Sequence, residues 1–327
     1  MKQLVFAALL VVAACGRAPD PTAGASTAAI AGAAAAPVAP DAPAMARTAA
    51  PTRTDLKGRM DCLRDHGGIV VIGHRGGPTR DYPPNALESL KRTFHAGTHG
   101  MEIDVARSSD GRLYLMHDDT LERSTTGSGT TDGLKWADIQ KLQLKTGRKT
   151  TDFHPASLEA VLDWAVSAGA LVELDRKSSV SIASVVDAVR RVHAENSVLM
   201  VTYTDAQAEA VHHADPGLFI AATIHSASQL DRLLSHGLPA DRLVAWTGDE
   251  RPDPELWKAL RAKGVLSAFG TLGPRGKSLD SAYWSDGDGS EYTDLAAEGL
   301  AFVVTDLSDK VSRQLAPEMK QAESCGF

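Results

Sequence analysis

An α/β fold, a (β/α)8 TIM barrel over residues 56–327 with a small insertion after its second strand, is what this sequence predicts. Two observations predict it, and a third excludes its main rival. Eight short, nearly continuous apolar runs occur at Ile69–Ile72, Met101–Val105, Leu171–Leu174, Val198–Tyr203, Leu218–Thr223, Leu243–Trp246, Val265–Phe269 and Phe302–Val304. Strands buried on both faces of a parallel sheet have this composition. Between them, helical periodicity recurs at Ala86–Ala96, Ser157–Ala168, Ile182–Ala194, Asp205–Ala214, Ala227–His236, Pro254–Ala262 and Tyr292–Glu298, with a last stretch near Asp309–Leu315. Eight alternating units of this kind make a closed barrel. An open doubly wound sheet is the alternative, but no GxGxxG fingerprint supports it.

Taken in order, several helices open on residues that favour caps, among them Asn85, Ser157 and Asp205. One segment breaks the alternation. Past the second strand, Asp110-Gly111 turns the chain into a further strand-like run, Gly111–His117. A Gly/Thr-rich stretch with one short helix follows, over residues 118–145. An insertion at the catalytic end of a barrel shapes access to the site.

The N-terminal segment belongs to another class. Met1 and Lys2 precede an apolar run, Leu4–Val12, too short to span a membrane, as in a secretory signal. The run ends in Val12-Ala13-Ala14-Cys15-Gly16, which resembles the lipobox of bacterial lipoproteins. That resemblance implies lipidation of Cys15 as the mature N-terminus; a plain secretory signal is the simpler alternative. Position 17 is Arg rather than Asp, so nothing argues for retention at the inner membrane, and the periplasmic face of the outer membrane is favoured. Residues 16–55 are rich in Ala, Pro, Gly, Thr and Ser and are interrupted by Pro37, Pro40, Pro43 and Pro51. They read as a disordered tether, with a reach of roughly 35 Å for a flexible chain of about 40 residues. The expected boundaries are 1–15 for the signal, 16–55 for the tether and 56–327 for the barrel.

The net charge of −7 carries no Lys/Arg cluster with interleaved aromatics, so nucleic acid is not an expected partner. Apart from Cys15, the cysteines are Cys62 and Cys325. The first and last elements of a closed barrel are neighbours, and export leads to an oxidising compartment; a Cys62–Cys325 disulfide is therefore expected. A monomer or weak dimer is the expected state.

The chemistry concentrates between positions 73 and 119. Glu102 and Asp104 lie two apart on a strand, so both point the same way. Glu173 and Asp175 repeat that spacing on the next barrel strand. Carboxylates converging from adjacent strand ends repel one another unless a cation lies between them, and oxygen ligands suit a hard ion, Ca2+ or Mg2+. Salt bridges to Arg75 and Lys177 are the structural alternative. His74 and His117 end strands beside this cluster and suit acid/base work near neutral pH. Arg75 offers a planar fork for a phosphate, Lys177 adds a second positive charge, and Trp246 can line the pocket. Trp284 is a further candidate for the pocket wall. His154 and His225 stand nearer to strand ends than the other histidines, and Asp306 faces the catalytic end. Metal, Arg and Lys together imply an anionic, phosphoryl-bearing substrate.

His74-Arg75-Gly76, Glu102-x-Asp104, Asp110-Gly111, His117-Asp118 and Thr305-Asp306 together resemble the glycerophosphodiester phosphodiesterase family. The likeness runs from about residue 69 to 308. It implies metal-dependent hydrolysis of a glycerophosphodiester to glycerol 3-phosphate and an alcohol, with His74 and His117 as acid and base. It further implies that Glu102, Asp104 and Asp175 hold the metal; Glu173, on the same strand as Asp175, is a further candidate ligand. Two departures stand out. Asp175 is shorter than the family's glutamate, and Pro84 replaces the Glu of the family's Pro-Glu-Asn. A lysophospholipase D-like activity on lysolipids, or a surface lipoprotein that binds phosphodiesters without cleaving them, are the alternatives.

Overall fold

In the computed structural model, residues 55–327 are described; the signal, Cys15 and residues 16–54 of the tether lie outside them. The barrel strands are β1 (Val70–Gly73), β2 (Gly100–Arg107), β3 (Leu171–Arg176), β4 (Val198–Thr202), β5 (Phe219–Thr223), β6 (Leu243–Trp246), β7 (Leu266–Gly270) and β8 (Phe302–Thr305). Each pairs in parallel with the next. β8 returns to β1 through the register Val70↔Phe302 to Gly73↔Thr305, which closes the ring. The eight apolar runs of the sequence therefore form a (β/α)8 barrel.

Strand alternation sorts the side chains into two layers. Met101, Ile103, Val105, Val172 and Leu174 join the layer between sheet and helices. Val70, Ile72, Leu171, Leu199, Phe219, Val244, Leu266 and Phe302, mostly from the first half of each strand, fill the barrel interior. Leu56, Met60 and Leu63 of a helix that precedes β1, Leu56–His66, pack against this interior set and seal that end. Catalytic chemistry is thereby left to the other end, where the polar residues follow the apolar ones on β2 and β3.

The sealing helix was not among the expected elements. Its apolar residues keep i, i+4, i+7 spacing, and Asp55 caps it by accepting from the Gly58 N–H at 2.7 Å. A disulfide joins Cys62 on this helix to Cys325, with Cα atoms 5.5 Å apart across a sequence separation of 263. Cys325 follows a final helix, Ala316–Ser324, which was also unforeseen.

The caps divide. Ser157 accepts from the Ala160 N–H as expected. Asp205 does not cap its helix; Thr204 does, accepting from the Gln207 N–H. Asn85 is no cap either, because its side chain is engaged elsewhere, and Ala86 occupies that position. The insertion supplies strand Leu113–Leu115, antiparallel to β2, a helix at Trp136–Ile139 and paired strands Lys145–Thr146 and Lys149–Thr150. Tyr114, Met116, Leu121, Ile139 and Leu144 give it a small core of its own. Between β7 and β8 the chain forms helices Leu279–Tyr283 and Glu291–Ala297. Among the described residues no helix is long and apolar enough to cross a membrane.

Candidate active site

β1 ends at Gly73, and the chain turns at once from His74. Arg75, Gly76 and Gly77 have φ of 50, 80 and 64°. The left-handed conformation suits Gly77 doubly, since a Cβ there would lie 2.5 Å from Thr93 Oγ1 and 2.7 Å from Ser308 Oγ. The turn aims the Arg75 N–H at Glu102 Oε2, 2.8 Å away. Meanwhile His74 Nδ1 meets Asp306 Oδ1 at 2.7 Å, and the other Asp306 oxygen accepts from the Gly273 N–H at 2.9 Å. Burial opposes ionisation of Asp306, but its bonds to His74 and Gly273 outweigh that and hold its carboxyl below the usual range. With Nδ1 bound to a carboxylate, His74 Nε2 is left for chemistry, 3.9 Å from Glu102 Oε2.

His117 follows the antiparallel strand of the insertion and is held in the same manner. Its Nδ1 lies 3.0 Å from Asp118 Oδ1, and Asp118 is fixed in turn by Arg123 and Ser124. Burial raises the Asp118 pKa, but these three partners prevail and bring it far below an ordinary carboxylate. His117 stands close enough for its charge to act on Asp175. Both expected histidines are thus fixed through Nδ1 near the carboxylates.

The parallel register of β2 on β3 sets Glu102 beside Glu173 and Asp104 beside Asp175. One oxygen each from Glu102, Asp104 and Asp175 lie within 4.8 Å of one another. Glu173 is not in that convergent set; it is buried in the cavity wall, where burial and then the Asp175 charge push it up to about 7. Glu102 is raised well above its ordinary value by burial, then by Asp104 and Asp175. Asp175 is raised too, by burial first, although a hydrogen bond from Tyr203 opposes this. The Asp104 pair partners are loose: Arg75 Nε at 3.7 Å and Lys177 Nζ at 3.9 Å. Among the described residues, no Lys or Arg comes within ion-pair distance of Glu102 or Asp175. Three clustered carboxylates with only two loosely placed cations beside one of them are what a hard divalent cation satisfies, so the residues present fit one.

Two supports of this cluster escaped sequence reasoning. Asn85, at φ 60° and buried, donates its amide to Asp104 Oδ2 at 2.7 Å and accepts the Asp104 N–H at 3.0 Å. Tyr203 donates its hydroxyl to Asp175 Oδ2 at 2.6 Å. Neither has a local signature, because each contact joins separate strands or loops.

A cavity of about 260 Å³ opens beside the carboxylates, lined by His74, Glu102, Glu173, Asp175, Tyr203 and Trp246 over an apolar floor of Val201, Ala221, Ala268 and Val304. The Trp246 ring lies against the end of β7, where Gly270 makes room; a Cβ there would come within 2.5 Å of it. Trp284 stands outside, packed on Tyr292 under Lys310. His154 and His225 are also elsewhere, bonded through Nδ1 to the carbonyls of Leu142 and Thr247.

A parallel barrel carrying two carboxylate-held histidines, a converging acidic triad and Arg and Lys at one end defines a class, a (β/α)8 protein with a polar site suited to a phosphate ester. The particular family follows from comparison: the model of the glycerophosphoryl diester phosphodiesterase family matches residues 74–272, and the chain belongs to that family. A glycerophosphodiester phosphodiesterase of Caldanaerobacter subterraneus subsp. tengcongensis is 27% identical over 227 residues, covering 61% of this chain and 93% of that protein. Two further relatives are matched over only 57% and 50% of their own lengths. The crystal structure of a glycerophosphoryl diester phosphodiesterase from Parabacteroides distasonis shares the fold at TM-score 0.72 and 22% identity, over 81% of this chain and 93% of the other. So does an Oleispira antarctica phosphodiesterase in complex with the product sn-glycerol-3-phosphate, at TM-score 0.61 and 19% identity, over 77% and 99%.

Proposed function

We propose that this protein hydrolyses glycerophosphodiesters to glycerol 3-phosphate and an alcohol. The observation that carries the reading is that His74 and His117, each tied through Nδ1 to an aspartate, both stand near the acidic triad, His74 by Glu102 and His117 by Asp175. The product held by the Oleispira antarctica neighbour supports the substrate class.

Glu102, Asp104 and Asp175 would hold one divalent cation, Ca2+ or Mg2+, which when bound supplies positive charge to the phosphate and lowers the pKa of a neighbouring hydroxyl. Arg75 and Lys177 bind the non-bridging oxygens as negative charge builds on them. One histidine accepts the proton of the glycerol 2-hydroxyl as its oxygen attacks phosphorus. The other histidine protonates the leaving alcohol as the old P–O bond breaks. Water then opens the resulting cyclic phosphate with the two roles exchanged. Trp246 and the apolar floor exclude water around the carbon skeleton. Replacing either histidine, His74→Ala or His117→Ala, should lower turnover by roughly 10²–10⁴-fold while leaving circular dichroism unchanged. Near-normal turnover in either variant contradicts the assignment.

The cavity beside the carboxylates has room for a small polar diester. For location, we propose export and lipid anchoring through Cys15 at the periplasmic face of the outer membrane, with residues 16–55 as the tether. The Cys62–Cys325 disulfide supports an oxidising compartment. Cys15→Ala should then move the protein from the membrane fraction to the soluble one.

A further inference from the structure

Asp280, in the helix Leu279–Tyr283 between β7 and β8, is 2% exposed and takes part in none of the steps above. Among the described residues no Lys, Arg or His pairs with it. Its carboxylate is nevertheless fully engaged. Oδ1 accepts from the Tyr292 hydroxyl and from Thr305 Oγ1 at 2.8 Å, and Oδ2 accepts the backbone N–H of Asp306 at 2.8 Å. The Asp280 N–H donates to the Thr271 carbonyl at 2.7 Å, which locks its own backbone to the end of β7.

Burying a carboxylate without a counter-charge is unfavourable, and an apolar side chain could fill the same space without that cost. What the carboxylate specifically does is grip the main chain of Asp306. Asp306 is the residue whose side chain holds His74 Nδ1 at 2.7 Å, and its second oxygen is fixed by Gly273. Backbone and side chain of Asp306 are therefore clamped from two directions. Tyr292, itself fully buried, and Thr305 keep the Asp280 carboxylate from turning away.

We propose that Asp280 is a positioning residue for His74, acting through Asp306: it sets the aspartate that fixes the tautomer and ring orientation of the histidine. This rests on the reading of His74 as an acid/base group. The competing role is purely structural, a tie between the β7–β8 segment and the end of β8.

A double-mutant cycle with a spectroscopic readout separates the two. Full-length protein in detergent, labelled with 15N-histidine, is compared as wild type, Asp280→Ala, Asp306→Asn and the double variant, on glycerophosphocholine. Because coupled residues are non-additive, Asp280→Ala should lower kcat about tenfold with KM little changed, yet add less than about twofold in the Asp306→Asn background. The His74 Nδ1–H resonance, identified by its loss in His74→Ala, should shift in Asp280→Ala. Equal losses in both backgrounds, or an unmoved resonance, overturn the proposal. Should Asp280→Ala fail to fold, Tyr292→Phe, which removes one hydroxyl, carries the same test with a smaller loss that again requires Asp306. If wild type turns over no diester, the reading of the function fails, and the resonance alone decides the positioning role.

Discussion

Asn85 and Asp104 form a two-way clamp between a loop and a strand, and much of the site depends on such single contacts. Without the Asn85 amide, Asp104 keeps a carboxylate with only the loose company of Arg75 and Lys177. Asn85→Ala should therefore weaken divalent-ion binding by roughly 10–100-fold, as outer partners of ligands commonly do, and calorimetry on the metal alone reads it. Unchanged affinity would show that Asp104 needs no clamp. Asp118 gives a second prediction. Its pKa is lower folded than unfolded, so its contribution to stability is full above about pH 4 and is lost as pH falls further. In urea melts, Asp118→Asn should lose less stability than wild type between pH 5 and pH 3. At this scale legibility was uneven. Glu102 and Asp104, like Glu173 and Asp175, are set off by their spacing along strands, and His74 and His117 by their place at strand ends; the preference for Asp175 over Glu173 comes from the family resemblance. Asn85 misled, because the chemistry that makes asparagine a good cap also lets it bond to a strand 19 residues away. Tyr203 and Asp280 act across separate elements and leave no local pattern at all.

At the level of elements, the loop after β1 and the β2–β3 pair do the positioning. Gly77→Ala would force a Cβ into Thr93 and Ser308 at a left-handed φ, and should cost about 1–3 kcal/mol, read by denaturant melts. The loss should extend to turnover, because the same loop carries His74 and Arg75. The β2–β3 register gathers carboxyls whose folded pKa values lie above the unfolded ones. Their protonated forms are favoured in the metal-free fold, so stability from this cluster is present below about pH 4.5 and is lost as pH rises toward about 7, the Glu173 value. A cation relieves that repulsion. Added Ca2+ or Mg2+ should therefore raise the melting temperature more at pH 8 than at pH 5; an equal shift at both would mean that the triad is not where the ion binds. All eight barrel strands were legible as apolar runs, since burial on both faces leaves little choice of residue. The helix Leu56–His66 was missed although its spacing is regular, because its neighbour in sequence is a proline-rich tract and its partners lie in the barrel interior.

For the molecule as a whole, closure is achieved twice. β8 pairs with β1 at the level of hydrogen bonds, and the disulfide ties the helix before β1 to the last residues of the chain. Because so long a loop is closed, replacing Cys62 and Cys325 by Ser should cost about 2–5 kcal/mol of stability. The bridge lies at the sealed end of the barrel, away from the triad, so kcat should remain near that of wild type. The separation between a stabilising end and a reactive end is the general arrangement of such barrels. It explains why membership of the glycerophosphoryl diester phosphodiesterase family is visible in a few residues near strand ends. The most direct test is release of glycerol 3-phosphate from glycerophosphocholine, run with EDTA and then with Ca2+ or Mg2+ restored. Turnover that EDTA abolishes and one cation recovers is the expected result; turnover indifferent to EDTA, or none with either cation, would contradict metal-assisted hydrolysis at Glu102, Asp104 and Asp175.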